Sequence, residues 1–241
     1  MRKAVLAVFF ICLFSGIYAQ SDKLGSWSVI NTRVGLDKKW ELFNELQLRS
    51  QSFYDDFFYY EVKGGISYKL NKNFNALVGT GKYITYDTDE EGSFNKPVTS
   101  NETRLWQQIT MNNYLTRVKF EHRYRIEQQW ISTGYRNRFR YRLNALIPVN
   151  KKSIEAGAMY ISAFNEVFLT NKAHYFLRNR FMAGVGYQVN KTFGVVPAYV
   201  YQYDYNHKDE RGHGKHFFQV TLMISVDDIE DAIREIPSTL D

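Results

Sequence analysis

LTRVKFEHRYRIEQ, residues 115–128, and YRNRFRYRLNALI, residues 135–147, carry the reading of the fold. In the first, Val118, Phe120, His122, Tyr124 and Ile126 share one face. Arg117, Lys119, Glu121, Arg123, Arg125 and Glu127 share the other. In the second, Tyr135, Phe139, Tyr141, Leu143, Ala145 and Ile147 oppose Arg136, Arg138, Arg140, Arg142 and Asn144. Strict alternation is the period of a strand, whose successive side chains point to opposite faces. Taken alone, such strands suit a half-buried sheet with a solvated charged face. They equally suit a closed barrel with an apolar exterior and a polar lumen.

Working outward, the same period recurs almost to the end of the chain. Candidate strands are 26–34, 39–49, 57–70, 74–86, 102–112, 115–128, 135–149, 153–164, 176–189, 192–205 and 215–226. Glu41, Glu45, Gln47 and Arg49 oppose Trp40, Leu42, Leu46 and Leu48. Glu61, Lys63, Ser67 and Lys69 oppose Phe58, Tyr60, Val62, Ile66, Tyr68 and Leu70. Arg178, Arg180 and Gln188 oppose Leu177, Phe181, Ala183, Val185, Tyr187 and Val189. His216, Phe218, Val220, Leu222 and Ile224 oppose Gln219, Thr221 and Ser225.

Several segments exceed the roughly 5–6 residues usual in globular strands and reach the roughly 9–11 a tilted membrane strand needs. A lipocalin-like cup closes with about eight strands and points its apolar face inward, which fits poorly. The expectation is an all-β, antiparallel, up-and-down transmembrane β-barrel. Bacterial barrels have even strand numbers, so the eleven segments predict 10 or 12 strands. Tight Asn-rich turns at 71–73, 112–114, 150–152 and 190–191 alternate with longer segments at 50–53, 87–101, 131–134, 165–175 and 206–214. Short turns on one rim are the periplasmic pattern of such barrels. Trp40, Tyr68, Tyr83, Tyr86, Tyr114, Trp130, Tyr135, Tyr187, Tyr203 and Tyr205 sit near strand ends and suit interfacial girdles.

The 241-residue chain is 44% hydrophobic and 23% charged, with 4 Pro and 15 Gly. That excludes disordered, collagen-like and linker classes. Residues 1–19 read as a signal peptide: Arg2 and Lys3 precede an apolar run too short to span a bilayer, with cleavage expected after Ala19. Cys12, the sole cysteine, lies inside it, so the mature chain forms no internal disulfide and no thiolate metal site. Residues 20–226 form the single barrel domain and 227–241 an acidic C-terminal tail. The formal charge of +6 becomes +4 once Arg2 and Lys3 are removed.

Residues 115–142 carry eight Lys or Arg and two Glu. A lumen charge network is expected from Glu41, Glu45, Arg117, Lys119, Glu121, Arg123, Arg125, Arg136, Arg138, Arg140, Arg142, Arg178 and Arg180, with Glu61, Glu155 and Glu166 as further acids. Buried charges are costly unless paired. The arginines can be structural, cross-linking a blocked lumen in a structural or interaction barrel. They can instead form a basic constriction that admits a small anionic solute, in a narrow channel or transport-related barrel. A soluble periplasmic barrel that binds a lipid or other ligand is the third reading.

The stretches WSVINTRVGLDKKWELFNELQLRS, GGISYKLNKNFNALVGTG, EHRYRIEQQW, RNRFRYRL with NALIPVNKK, and FLRNRFMAGVGYQVNK resemble the bacterial family catalogued as domain of unknown function 2490. The resemblance spans residues 26–226 and implies an exported outer-membrane barrel of Bacteroidetes-type bacteria, with no catalytic set or cofactor to carry over.

Enzymatic chemistry finds no foothold: no GxSxG, HExxH or P-loop occurs, and no Ser lies in register beside His122. His174, His207 and His213, with Asp204 and Asp209, are too loosely spaced for a metal site. Alternation separates Arg from Tyr and Phe, which spoils a stacking platform for nucleic acid. The partners expected are outer-membrane lipid and, during biogenesis, periplasmic chaperones and the barrel assembly machinery. The location expected is the outer membrane, with the periplasm as the alternative.

Overall fold

The computed structural model describes residues 23–88, 93–132, 134–172, 175–206 and 210–226. The expected signal peptide and acidic tail lie outside the described residues, as do His174, His207 and Asp209. The strands are β1 Gly25–Gly35, β2 Trp40–Ser52, β3 Asp55–Lys69, β4 Phe74–Tyr86, β5 Val98–Leu115, β6 Val118–Ile131, β7 Gly134–Pro148, β8 Ala158–Thr170, β9 Phe176–Gln188, β10 Phe193–Asn206 and β11 Arg211–Val226. They pair in chain order and close into one barrel. Every pairing is antiparallel except the closure, where β1 runs parallel to β11 from Gly25↔Phe217 to Val34↔Val226.

The strand number is therefore eleven, and the expected 10 or 12 is corrected. An odd meander brings its first and last strands round in the same direction, so it can close only through a parallel pair. One consequence is that Gly25 and Val226 stand at opposite rims.

The connections 36–39, 70–73, 116–117, 149–157 and 189–192 form one rim, here the turn rim. At the opposite rim stand the strand ends that flank 53–54, 87–97, 132–133, 171–175 and 207–210. The expected division into short and long is largely absorbed. β2 runs through Ser52, β5 starts at Val98, β8 reaches Thr170 and β11 starts at Arg211, taking polar segments into the wall. The turn expected at 112–114 sits at 116–117, where Thr116 adopts φ 55 despite its branched side chain.

Three turn-rim connections use one device. Asp37 Oδ1 accepts from the amides of Lys39 (2.6 Å) and Trp40 (2.7 Å). Asn71 Oδ1 accepts from Asn73 (2.9 Å) and Phe74 (3.0 Å), and Asn190 Oδ1 from Thr192 (2.8 Å) and Phe193 (2.7 Å). The Trp40 amide, then that of Lys39, holds the Asp37 carboxyl below its ordinary pKa.

The faces fall largely as the alternation predicts. Ile30, Leu46, Val62, Val78, Ile109, Ile126, Phe139, Ile161, Val185 and Leu222 form an exposed apolar belt. Trp40 packs on Tyr68 near one rim and Trp130 on Tyr135 near the other, at centroid separations of 4.6 and 5.6 Å. Several polar side chains within the belt pair with one another. Gln107 and Gln128 exchange hydrogen bonds, as do Asn165 and Asn179. His122 and His216 each meet a tyrosine hydroxyl, of Tyr141 (2.9 Å) and Tyr199 (2.5 Å).

Three aromatics depart from expectation. A register shift between Arg49 and Ser50 turns Phe58 inward. Tyr83 pairs with Glu61 on the lumen face, and Tyr114 lines the lumen at the turn rim, so neither belongs to a girdle.

Candidate functional site

The lumen is crossed near mid-height by carboxylates shared among guanidinium groups. Glu127 on β6 and Glu166 on β8 are 0% and 1% exposed. Glu127 Oε2 accepts a fork from Arg138, Nε at 2.8 Å and Nη2 at 2.5 Å, and its Oε1 accepts from Arg140 Nη1 at 2.6 Å. Arg125 Nη1 lies 3.6 Å from the same Oε1. Glu166 Oε1 accepts from Arg123 Nη2 at 2.5 Å and from Arg140 Nη2 at 2.8 Å, and Arg180 Nη1 lies 3.6 Å from Oε2. Arg140 thus links both hubs. The strand register explains why acids this few are so placed. Arg123 faces Arg142, and Arg125 faces Arg140, directly across the β6–β7 pair. Like charges in that position repel unless a carboxylate from an adjacent row or strand lies between them.

Smaller clusters complete the layer. Lys63 Nζ is 2.5 Å from both Glu45 and Glu61, and the Tyr59 hydroxyl donates to Glu61. Arg104 forks onto Glu102 at 2.8 and 2.5 Å. Arg178 pairs with Asp204. The remaining cationic surface rests on aromatic faces. Trp27 lies between Arg49 (3.6 Å) and Arg180 (4.6 Å), and the Phe168 ring is approached by Arg140 (4.4 Å), Arg180, Arg138 and Arg178. Since β10 and β11 separate β9 from β1 in the wall, the Arg180–Trp27 contact crosses the lumen. Trp106, 0% exposed, lies so close over Gly79 that a Cβ there would stand 2.4 Å from its ring.

This layer divides the lumen into two cavities. The larger, about 660 Å³, opens at the turn rim, and the smaller is about 190 Å³. Gln47, Lys63, Arg140 and Arg180 line both and form the partition. Around the larger cavity the wall is two-sided. β9 to β11 present Met182, Val196 and Met223 among Gln188, Gln219, Thr221 and Ser225, while β6 and β7 present Lys119, Glu121, Arg123 and Arg142.

All the expected network residues lie on the lumen side, but their pairings differ. Glu41 only approaches Arg33, at 3.9 Å, near the turn rim. Glu45 pairs with Lys63. Glu121 holds Arg142 at 2.8 Å and Lys119 at 3.9 Å. Arg136 and Arg180 donate to the amide oxygens of Gln129 and Gln202, and Arg125 to Gln108. Arg117 stands in the 116–117 turn at the cavity mouth. Glu155 is corrected: it sits in the 149–157 connection near Lys151 (3.4 Å), outside the network.

Glu127 and Glu166 are the hubs that the expected set understates. Glu127 was legible on the charged face of its strand. Glu166 sits beyond the expected end of strand 153–164, although the alternation of AMYISAFNEVFLT continues through it. Glu102 and Asp204 carried no signal beyond being lone acids on lumen faces.

A family model described as protein of unknown function (DUF2490) matches residues 24–213, which cover most of the barrel wall. No curated protein matches the chain, and no solved structure does.

Proposed function

The chain belongs to the DUF2490 family, and from that premise and the lumen geometry we propose that it is an outer-membrane β-barrel closed by its own ion pairs. Its role is then structural or interactive, exercised at its rims, and it is not an open channel. The observation that carries this reading is the partition: two cavities meet at Gln47, Lys63, Arg140 and Arg180.

The exposed belt supports the membrane location. A water-soluble barrel rarely leaves an apolar patch beyond a few hundred Å² uncovered, whereas here exposed apolar side chains recur around the wall. The outward Gln–Gln, Asn–Asn and His–Tyr pairs support it too, because unpaired polar groups in hydrocarbon cost several kcal/mol. No helix among the described residues is long and apolar enough to cross a membrane. We assign the barrel no enzymatic role, since its two outward histidines are engaged by tyrosines. An apolar exterior would need periplasmic chaperones and the barrel assembly machinery for delivery.

The test is cell fractionation with a heat-modifiability gel, followed by planar-bilayer recording of the purified barrel. Retention in carbonate-washed outer membrane, separate boiled and unboiled bands, and no steady current are expected. A soluble periplasmic protein would overturn the location, and a stable ohmic current would overturn the closed lumen.

A further inference from the structure

We infer that the turn-rim cavity binds a single-tailed anionic amphiphile, an acyl chain ending in a carboxylate or phosphate, with its head at Arg123 and Arg142. The inference rests on the closed-lumen reading, since it treats the cavity as a blind cup.

Two independent features point to such a ligand. Arg123 and Arg142 face each other across the β6–β7 register, each held at one end by a glutamate. Yet the Nε of each is buried and finds no protein acceptor. Those Nε atoms lie out of a ligand's reach, but each guanidinium is thereby short of partners, and both side chains line the cavity, 13% and 20% exposed, where one anion can meet the pair. The imbalance extends around the cup, whose lining has ten Lys or Arg against three Glu.

The second feature is the wall opposite. In a ring of eleven strands, β11 lies five places from β6. There apolar side chains gather among small and amide-bearing ones: Met182, Val196 and Met223 lie with Phe164 and Tyr160 along one side of the cup, interleaved with Gln219 and Thr221, which bond each other. Gly186 allows it, since a Cβ at that position would stand 2.1 Å from the Tyr160 ring. An inorganic anion would satisfy the arginines and leave this wall wet. A neutral lipid would cover the wall and leave the excess of cationic groups uncompensated. An anion with one chain does both, and a volume of about 660 Å³ falls within the range of roughly 300–1,000 Å³ typical of ligand sites.

The experiment uses the full chain in nanodiscs, its fold verified by heat modifiability, with binding of labelled palmitate measured against empty nanodiscs. One saturable site is expected, with hexadecanol and inorganic sulfate competing at least tenfold more weakly than unlabelled palmitate. Lysophosphatidate serves as the phosphate-headed probe. Whichever of the two acyl anions binds more tightly identifies the source of the head, and either supports the site. The Arg123→Gln/Arg142→Gln variant should bind at least tenfold more weakly. Because that variant disturbs the ion-pair layer, Val196→Trp is the second probe. It fills the apolar side, leaves both arginines in place and should also abolish palmitate binding. No saturable binding by the heat-shifted barrel overturns the inference. So does sulfate or hexadecanol competing as well as palmitate, or retention of affinity by both variants. A non-conducting barrel that fails to bind leaves the closed-lumen reading standing, whereas an ohmic current removes that reading first.

Discussion

Replacing Glu166 by glutamine removes one negative charge from a site where three guanidinium groups converge and little else changes. Glu166 is 1% exposed and accepts from Arg123 at 2.5 Å and Arg140 at 2.8 Å, with Arg180 at 3.6 Å. Each charge-assisted hydrogen bond contributes about 1.5–3 kcal/mol. Breaking a buried ion pair from one side costs about 3–5 kcal/mol, because the partner is left charged and dry. Arg140 keeps Glu127, which limits the loss, while Arg123 has no second carboxylate within ion-pair distance among the described residues. We therefore expect Glu166→Gln to destabilise the barrel by about 3–5 kcal/mol. In equilibrium urea unfolding of the lipid-reconstituted protein, this is a midpoint drop of at least about 1 M. The control is Glu155→Gln, whose side chain is 59% exposed beside Lys151 and whose loss should be at most about 1 kcal/mol. A Glu166→Gln penalty as small as the control's would refute the reasoning, since it would mean that water screens the hub as it does the surface.

Three further expectations follow from the fold. Lysine at Ile126, in the exposed belt of β6, should cost about 2–4 kcal/mol if it faces the bilayer midplane; equal stability of Ile126→Lys and Ile126→Ser would argue against lipid there. With turns facing the periplasm, a tag just before Lys23 should be reached by antibody on intact cells and one just after Val226 should not, because the parallel closure puts those ends at opposite rims; labelling of both or of neither would contradict the eleven-strand closure. The Asp37 turn should loosen in acid: its carboxyl is held below the ordinary pKa, so its contribution is present above that value and is lost as pH falls through the lowered one. Asp37→Asn should retain the turn without that pH dependence, as Asn71 and Asn190 do natively, which hydrogen exchange at the Lys39 and Trp40 amides would check.

Much of the wall was legible because alternation is local. Val118 to Gln129 sort into lumen and exterior by parity alone, and the structure keeps that order. Legibility failed where a pleat is interrupted. The register shift after Arg49 reverses Phe58, the β5–β6 turn falls at Thr116 and not at an Asn, and Glu166 lies inside a strand that starts and ends later than the expected 153–164. The candidate site was legible as composition and not as geometry. An excess of arginine on lumen faces was evident from residues 115–142, but not which acids meet it.

By itself, then, the amino-acid order determined the strand class, the charged interior and the apolar exterior, since each depends only on a two-residue period. Tertiary structure decided the rest. The number of strands, and with it the parallel seam, depends on closing the ends of the chain on each other. The sharing of Glu127 and Glu166 among five arginines depends on register between strands and on contacts across the lumen. The division of the lumen into two cavities depends on side chains from β2, β3, β7 and β9 meeting at one height. No local period encodes that meeting, because it is set by the stagger of all eleven strands together.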